Sequence, residues 1–296
     1  MGGTHHPPRP IPRQQRVTST VALIGTPLKR RHSGVMHNAA FSHFGIDARY
    51  ELRELAETGL PEFVAEVREG EWLGFQVTAP HKQAVIAHLD RVEQGAAAIG
   101  AVNSVINDDD GGLTGFNTDA SGFRHALTDT LGATIDGSRF VVVGAGGAAR
   151  AVVWTVLNGG AGEVVVANRS LQRATDLVAD FADLGNMSAL RTDELDVALA
   201  SADVAVNATT VGMSSGELAF DVDAIPREAA VFDLVYVPPE TALVRAALDR
   251  GLRVCNGIEM LVSQAALAFE RWTGVSDAAP VMRNALEEWD GQSDRK

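Results

Sequence analysis

Short apolar runs alternate with amphipathic segments along the first half of the chain, and the alternation predicts strands and helices in turn. Strands are expected at 21–25, 48–55, 72–78, 101–107 and 113–117. Helices are expected at 34–45, 60–70 and 80–90, the last two opened by Pro61 and Pro80 because proline suits the first helical turn. The segment "DDDGG" between the last two strands is typical of a hairpin turn. The first half is therefore predicted to be an α/β unit with one antiparallel excursion.

The second half is more regular. A helix from Asp119 leads into "RFVVV", a glycine-rich turn, a helix and a second buried strand. Further strands are expected at 202–210 and 229–236, a helix at 241–251, and a long apolar-faced helix at 257–274 followed by a shorter one. Alternation of this kind predicts a doubly wound parallel sheet of the Rossmann type. The fold class expected is α/β with two domains.

Composition narrows the function classes. The 296 residues suffice for two domains, and a net charge of −13 argues against a general nucleic-acid or acidic-membrane binder. The single cysteine, Cys255, excludes an internal disulfide, and no Cys/His zinc spacing occurs, so no metal is expected. No apolar run approaches the roughly 20 residues of a spanning helix. Residues 1–17 lack a secretory apolar region and are interpreted as a disordered tail, so a cytoplasmic protein is predicted.

A dinucleotide site is indicated by Gly144, Gly146 and Ala149, which form G-x-G-x-x-A between a strand and a helix. Such glycines allow a tight turn and let a pyrophosphate approach the N–H groups at a helix N-terminus. A glycine-rich connection that binds nothing is the alternative, and the strand, turn, helix, strand context favours the nucleotide. The predicted cofactor-binding turn consists of Gly144, Ala145, Gly146, Gly147 and Ala148.

The end of the second strand indicates which dinucleotide binds. An NAD site has an acidic residue there, whereas this chain has Asn168, followed by Arg169 and by Arg173 one turn later. A carboxylate would repel a 2′-phosphate, and guanidinium groups bind one. Two solvated arginines on a helix face are the alternative. We predict NADP(H) as the cofactor.

A dinucleotide domain suggests hydride transfer, which needs a proton donor at the carbonyl oxygen. Lys82 is one of only three lysines against twenty-two arginines, and arginine does not release a proton near neutral pH. Asp119 is the candidate carboxylate, and Asn103 is an uncharged polar residue in an otherwise apolar strand between them. A surface lysine and a helix N-cap are the structural alternatives for Lys82 and Asp119.

Several short motifs from Val21 to the C-terminal helices have the order and spacing of one family. Besides the turn "GAGGAAR" and "NRSLQR", they are "QVTAPHK" (76–82), "GAVN" (100–103), "NTD" (117–119), "NATTVGM" (207–213), "DLVYVPPET" (233–241) and "GIEMLVSQA" (257–265). In these motifs the chain resembles the shikimate dehydrogenases. The resemblance implies reversible, NADP-dependent reduction of 3-dehydroshikimate to shikimate, a step of aromatic amino acid and chorismate biosynthesis.

The resemblance also implies residue roles. Lys82 and Asp119 would form the catalytic dyad, while the residues expected to bind substrate are Thr78, Asn103, Tyr236 and Gln264. Gly257 would lie beside the nicotinamide. Because the family's C-terminal helices pack onto the first domain, the division expected is a tail (1–17), a substrate domain (18–118 plus 257–296) and an NADP domain (119–256). The sequence leaves the assembly open, with a homodimer as one expectation.

The N-terminal loop departs from the family pattern. Two serines hold the substrate carboxylate in the family; here Ser33 stands on the second and Arg31 replaces the first, in "GTPLKRRHSGVMHN". Either Arg31 binds the carboxylate as a charged fork, or it points to solvent and the loop serves quinate or an amino-substituted analogue. Gln76 stands where asparagine is usual. A non-catalytic NADPH sensor and a methylene-tetrahydrofolate dehydrogenase are alternatives that the dyad residues favour less.

Overall fold

Two six-stranded sheets form the framework of the chain. The computed structural model describes residues 18–28 and 30–293. The predicted tail at 1–17, Lys29 and the last three residues lie outside the described residues. Both sheets are dominated by parallel strands, so the predicted α/β class is confirmed.

The first sheet is mixed. Its strands are β1 (Ser19–Gly25), β2 (Ala48–Glu54), β3 (Trp72–Val77), β4 (Arg91–Val92), β5 (Ser104–Asn107) and β6 (Leu113–Phe116). They lie in the order β2-β1-β3-β5-β6-β4. Strand β5 is antiparallel to both of its neighbours, whereas β1 is parallel to β2 and β3. The predicted antiparallel excursion is therefore the β5–β6 hairpin.

Three helices belong to this half, and one predicted helix is wrong. The helices are α1 (His32–His43), α2 (Leu60–Glu69) and α3 (Gln94–Ile99). The segment after Pro80 instead forms a turn followed by a short 3-10 helix, Ala84–His88. The backbone carbonyl of Lys82 accepts a hydrogen bond from Val102 N–H at 2.8 Å, so it is not available to a helical N–H four residues later. Lys82 is thus presented by a turn.

The second sheet is entirely parallel. Its strands are β7 (Arg139–Val143), β8 (Glu163–Asn168), β9 (Met187–Arg191), β10 (Val204–Asn207), β11 (Ala230–Asp233) and β12 (Arg253–Cys255). The order β9-β8-β7-β10-β11-β12 is that of a doubly wound dinucleotide-binding sheet. Its helices are α4 (Asp119–His125), α5 (Gly147–Asn158), α6 (Leu171–Asp180), α7 (Leu195–Leu199) and α8 (Ala242–Asp249). Apolar side chains are buried on both faces of the sheet.

The C-terminal helices return to the first sheet. They are α9 (Ile258–Thr273) and α10 (Ala278–Ser293). Phe269 and Met282 share one buried core with Val21 and Phe41, and Trp272 donates an indole hydrogen bond to the backbone of β5 at 2.9 Å. The two ends of the described chain therefore pack together, with the second sheet inserted between them in sequence.

Neither a metal cluster nor a membrane span is found in the part of the chain that the structure describes. No group of three or more His, Cys, Asp or Glu residues there could hold a metal ion. None of its helices combines the length and the hydropathy that a bilayer crossing requires.

The backbone at Gly74 in β3 leaves no room for a side chain. Its φ of +153° disfavours other residues, and a Cβ there would lie 2.0 Å from Val105 O and 2.7 Å from Trp272 Nε1. We expect Gly74→Ala to lower the free energy of unfolding by about 3 kcal/mol or more, measured by thermal and urea denaturation. As a control, Gly95→Ala places its methyl where nothing lies within 4 Å, and should be neutral or stabilising. Equal stabilities for the two variants would contradict this account.

Candidate active site

Lys82 and Asp119 meet as a nearly buried ion pair. Lys82 Nζ donates to Asp119 Oδ2 at 2.5 Å, and the two side chains are 14% and 8% exposed. Asp119 is the first residue of α4, where the helix dipole favours a negative charge. Removing both charges from water is costly, so such a pair needs further hydrogen bonds to be stable.

Asn103 supplies those hydrogen bonds. It is buried immediately before β5, and its Nδ2 donates to Asp119 Oδ1 and to Thr118 Oγ1, both at 2.9 Å. Its Oδ1 accepts from Thr118 N–H at 2.8 Å. Asn103 thereby holds one carboxylate oxygen and leaves the other to Lys82. The structure brings together the three residues that were chosen from the sequence.

A line of buried polar side chains continues from this pair. Gln264 of α9 accepts at Oε1 from Gln76 Nε2 at 3.0 Å and lies 3.4 Å from Asn103 Nδ2. Gln76 in turn accepts from the Tyr50 hydroxyl at 2.6 Å, and Gln264 Nε2 donates to a backbone carbonyl of its own helix at 3.0 Å. The hydrogen bonds thus run without interruption from Tyr50 to Lys82, through residues of separate segments of the chain.

Ser33 and Tyr236 gather around the Tyr50 end of this line. Burial raises the pKa of the Tyr50 phenol well above its ordinary value; a hydrogen bond with Ser33 opposes that shift and the nearby Tyr236 adds to it. Burial also raises the pKa of Tyr236, which the positive charge of Arg30 partly offsets. Thr78 lies half-buried just beyond β3. Ser33, Asn103, Tyr236 and Gln264 therefore lie along one connected region, and Thr78 follows Val77, whose N–H donates to Asn103 O at 2.8 Å.

The two arginines at the start of α1 behave differently. The Arg31 side chain is exposed and makes no hydrogen bond or ion pair with any residue that the structure describes. Arg30 is half-buried, and its Nη2 donates to Met213 O at 2.9 Å and to Val237 O at 3.0 Å. Both acceptors belong to loops that follow strands of the second sheet. Arg30, and not Arg31, therefore reaches across from one half of the molecule to the other.

The loops that Arg30 reaches are held by one buried carboxylate. Asp233, at the end of β11, accepts from Asn207 Nδ2 at 2.9 Å, Thr241 Oγ1 at 2.6 Å and Val235 N–H at 3.0 Å. Burial raises the pKa of Asp233, and these donors oppose that shift. Since Asn207 ends β10, this carboxylate ties together the loops after β10 and β11.

The glycine-rich turn fits a dinucleotide pyrophosphate. Gly144 has φ +123°, and a Cβ there would lie 2.8 Å from Ala208 O, whereas the space above Gly146 is open to 4 Å. Gly147 begins α5, so unpaired N–H groups face this space. A methyl group on Gly147 would lie 3.1 Å from both Cβ and Cδ of Lys82. The turn is therefore next to the Lys82–Asp119 pair.

The end of β8 fits an adenosine 2′-phosphate. Asn168 donates its side-chain amide to Ser170 O at 3.0 Å. Arg169 and Arg173 are exposed, and within the described residues neither side chain makes a hydrogen bond or an ion pair, so both guanidinium groups are open to an anion.

Gly257 is buried at the start of α9, where a Cβ would lie 2.2 Å from Leu234 O. Only glycine allows this approach.

His37 and Tyr50 form part of the site's support, and sequence reasoning gave them no role. Their rings stack at 4.5 Å with an interplanar angle of 10°. No hydrogen bond of normal geometry reaches either ring nitrogen of His37 from the described residues. Burial lowers the pKa of His37 to about 3, against the opposing effect of the neighbouring Gln76 side chain. His37 is therefore neutral. The sequence held one indication of a role for Tyr50, which is one of only two tyrosines in the chain.

Comparisons with known proteins agree with this geometry. Residues 23–105 match the shikimate dehydrogenase substrate-binding domain, 126–217 match shikimate/quinate 5-dehydrogenase, and 257–287 match the shikimate 5′-dehydrogenase C-terminal domain. Shikimate dehydrogenase (NADP(+)) of Carboxydothermus hydrogenoformans is 38% identical over 91% of this chain and 96% of its own.

Two solved structures illustrate the range of similar enzymes. Shikimate 5-dehydrogenase of Thermus thermophilus, in complex with NADP(H) and shikimate, has a TM-score of 0.79 and 37% identity, covering 90% of this chain and 99% of that one. Quinate dehydrogenase of Corynebacterium glutamicum, in complex with NAD, has a TM-score of 0.83 and 30% identity, covering 91% and 99%.

A doubly wound sheet with a glycine-rich turn, facing a lysine–aspartate pair, defines a two-domain, dinucleotide-dependent oxidoreductase. The matches cover nearly the whole described chain. The chain belongs to the shikimate dehydrogenase family, and its curated relatives include NADP-dependent oxidoreductases acting on a CH–OH group. The predictions of family, enzyme class and NADP as cofactor are confirmed.

His37 predicts a specific acid sensitivity. Its pKa in the folded protein is about 3, below the ordinary value, so between pH 6.5 and 3 the unfolded chain binds a proton that the folded protein does not. The free energy of unfolding that the neutral His37 side chain contributes is therefore lost as pH falls through this window. The loss amounts to at most about 1.4 kcal/mol per pH unit. We expect His37→Phe to flatten the decline in urea-unfolding free energy between pH 7 and pH 5.

The control is His43→Phe, at an exposed position of the same helix, which should retain the wild-type slope. Parallel slopes for wild type and His37→Phe would contradict the assignment.

Proposed function

We propose that this chain is an NADP-dependent shikimate dehydrogenase that reversibly reduces 3-dehydroshikimate to shikimate. The observation that carries the proposal is the position of Lys82, which contacts Asp119 on one side and lies against the glycine-rich turn on the other. A proton donor beside a nucleotide turn is what carbonyl reduction requires. The names of the curated relatives support the substrate.

Lys82 and Asp119 would divide the proton chemistry. The hydride for the carbonyl carbon would come from NADPH when it is bound. The Lys82 ammonium has three N–H donors, of which Asp119 takes one, and another would bond the carbonyl oxygen and pass its proton as the oxygen becomes an alkoxide. Asp119 fixes the position of the Lys82 amine, and in the reverse direction the deprotonated Lys82 would accept the proton from the hydroxyl.

The surrounding polar residues would orient the substrate. We assign Asn103, Thr78 and Gln264 to its hydroxyl groups, and Ser33 and Tyr236 to the remaining contacts expected from the family. The hydrogen bond from Gln76 to Gln264 supports this assignment, because it holds the Gln264 amide in one orientation. Arg31, which replaces a family serine, is the carboxylate ligand expected from the sequence. It has the least support, since it is exposed.

The nucleotide would lie on the second sheet. We assign its pyrophosphate to the turn Gly144–Ala148, its 2′-phosphate to Arg169 and Arg173 beside Asn168, and its nicotinamide to the neighbourhood of Gly257. The unpaired arginines and the open space above Gly146 support this placement.

We further propose that 18–118 plus 257–296 form the substrate domain and that 119–256 form the NADP domain. The core shared by β1, α1, α9 and α10 supports this division. A homodimer and a cytoplasmic location stay predictions.

Quinate is a second candidate substrate. Gln76 in place of asparagine and the altered loop around Arg31 favour it, as does the similarity to a quinate dehydrogenase. A non-catalytic NADPH sensor is less favoured, because the Lys82–Asp119 pair is intact and hydrogen-bonded.

The function is tested by following NADPH absorbance with shikimate, quinate and an amino analogue. We expect shikimate with NADP⁺ to give the highest kcat/KM, and NAD⁺ to be at least about tenfold poorer. Arg169→Ala should reduce the preference for NADP⁺ by about tenfold, whereas Arg191→Ala, at the exposed end of the next strand, should not. Preference for NAD⁺ would contradict the cofactor assignment, and preference for quinate would replace the substrate.

The dyad is tested at Lys82. Lys82→Ala should lower kcat by about 10²- to 10⁴-fold. Lys82→Arg should also lower kcat strongly, because arginine keeps the charge but does not release the proton. Gln83→Ala, an exposed position in the same turn, is the matched control, and circular dichroism would verify folding. Near-normal turnover by either Lys82 variant would exclude the proposed mechanism.

A further inference from the structure

Arg30 is a partly buried cation without a counter-charge among the described residues. Its Nη2 makes both of the hydrogen bonds that its guanidinium forms with them, to Met213 O and Val237 O. No Asp or Glu among those residues forms an ion pair with it, and its Nε is buried without any acceptor. A buried charged donor left unpaired costs free energy, so a position of this kind is suited to an anionic ligand.

The surroundings of Arg30 locate that ligand at the candidate active site. Arg30 Nη2 donates to Val237 O at 3.0 Å, one residue beyond Tyr236. The ring of His32, the first residue of α1, lies 5.1 Å from the Tyr236 ring in an edge-on arrangement. Tyr236 also lies close enough to Tyr50 to raise the pKa of its phenol. Tyr50 begins the line of hydrogen bonds to Lys82. Arg30 therefore stands at the opposite end of this polar line from the proton donor.

We infer that Arg30 receives the carboxylate of the substrate and makes the enzyme selective for acids over uncharged analogues of the same shape. The inference rests on the proposed function, since it concerns the substrate of that site. A carboxylate is the chemistry that matches an unpaired guanidinium, which offers several N–H donors and a full positive charge. Substrate hydroxyls would satisfy the donors but leave the charge uncompensated.

The same contacts explain why the charge would be held in place before substrate arrives. Met213 and Val237 belong to the loops after β10 and β11, which Asp233 ties together through Asn207 and its own backbone contacts. Two backbone carbonyls of the second half of the molecule thus hold a side chain of the first half. A carboxylate bound at Arg30 would contact a group already fixed by both halves, so little ordering would remain to be done on binding.

The experiment compares shikimate with methyl shikimate, in which an uncharged ester replaces the carboxylate. Wild type, Arg30→Gln, Arg30→Lys, Arg31→Gln and the surface control Arg49→Gln would be assayed for kcat and KM with NADP⁺. Binding of both compounds to the nucleotide-free protein would be measured by calorimetry. We expect Arg30→Gln to weaken binding of the acid about 10- to 100-fold, seen mainly as a rise in KM and Kd. Binding of the ester should change by less than about threefold. Arg30→Lys should recover part of the loss, and Arg49→Gln should behave as wild type.

Each other outcome overturns the inference. If Arg30→Gln weakens binding of the acid and of the ester equally, Arg30 only bridges the two halves of the molecule. If Arg31→Gln produces the acid-specific loss and Arg30→Gln does not, the carboxylate is held by Arg31. Thermal unfolding of each variant verifies folding, and Arg30→Lys keeps the test valid if Arg30→Gln is unstable. Failure of the proposed function is separate, because wild type would then not oxidise shikimate, whereas calorimetry would still report acid binding and its dependence on Arg30.

Discussion

The nearly buried ion pair between Lys82 and Asp119 is the constraint that the contacts around the site have to satisfy. It joins a turn of the first sheet to the helix that leads into the second, and both side chains are nearly buried. A buried ion pair contributes little net stability, because desolvation offsets the attraction. Its presence therefore has to be supported by the surrounding fold, which holds the Lys82 side chain in one position beside the glycine-rich turn.

Two further contacts support this pair, one within the first half of the molecule and one between the halves. The carbonyl of Lys82 accepts from Val102 N–H, which fixes the turn to the hairpin carrying Asn103. The buried Arg150 of α5 donates to the C-terminal carbonyl of α3, Ile99 O, at 2.6 Å. A Cβ on Gly100 would lie 2.6 Å from this guanidinium, so the glycine allows it to approach. The nucleotide helix is thereby anchored to the substrate half beside the active site.

Sequence reasoning succeeded where the determining interactions are local. The glycine turn, the buried strands β7 and β8 and the β5–β6 hairpin follow from short-range spacing, and all were predicted. The helix after Pro80 was wrong because the decisive partner of Lys82, Val102, lies far along the chain. The direction of adjacent loop residues is likewise tertiary: nothing local distinguishes Arg30, which reaches Met213 and Val237, from Arg31, which does not.

The buried polar line shows why the rest of the site also escapes the sequence. Tyr50, Gln76 and Gln264 come from β2, β3 and α9, and each satisfies its neighbour only when all three elements are in place. The stacked His37 is neutral, so it adds no charge that would compete with Lys82 for Asp119. Low surrounding polarity strengthens these hydrogen bonds and makes any unpaired member costly. The network therefore holds Asn103 and Asp119 in one arrangement, with one Asp119 oxygen facing Asn103 and the other facing Lys82.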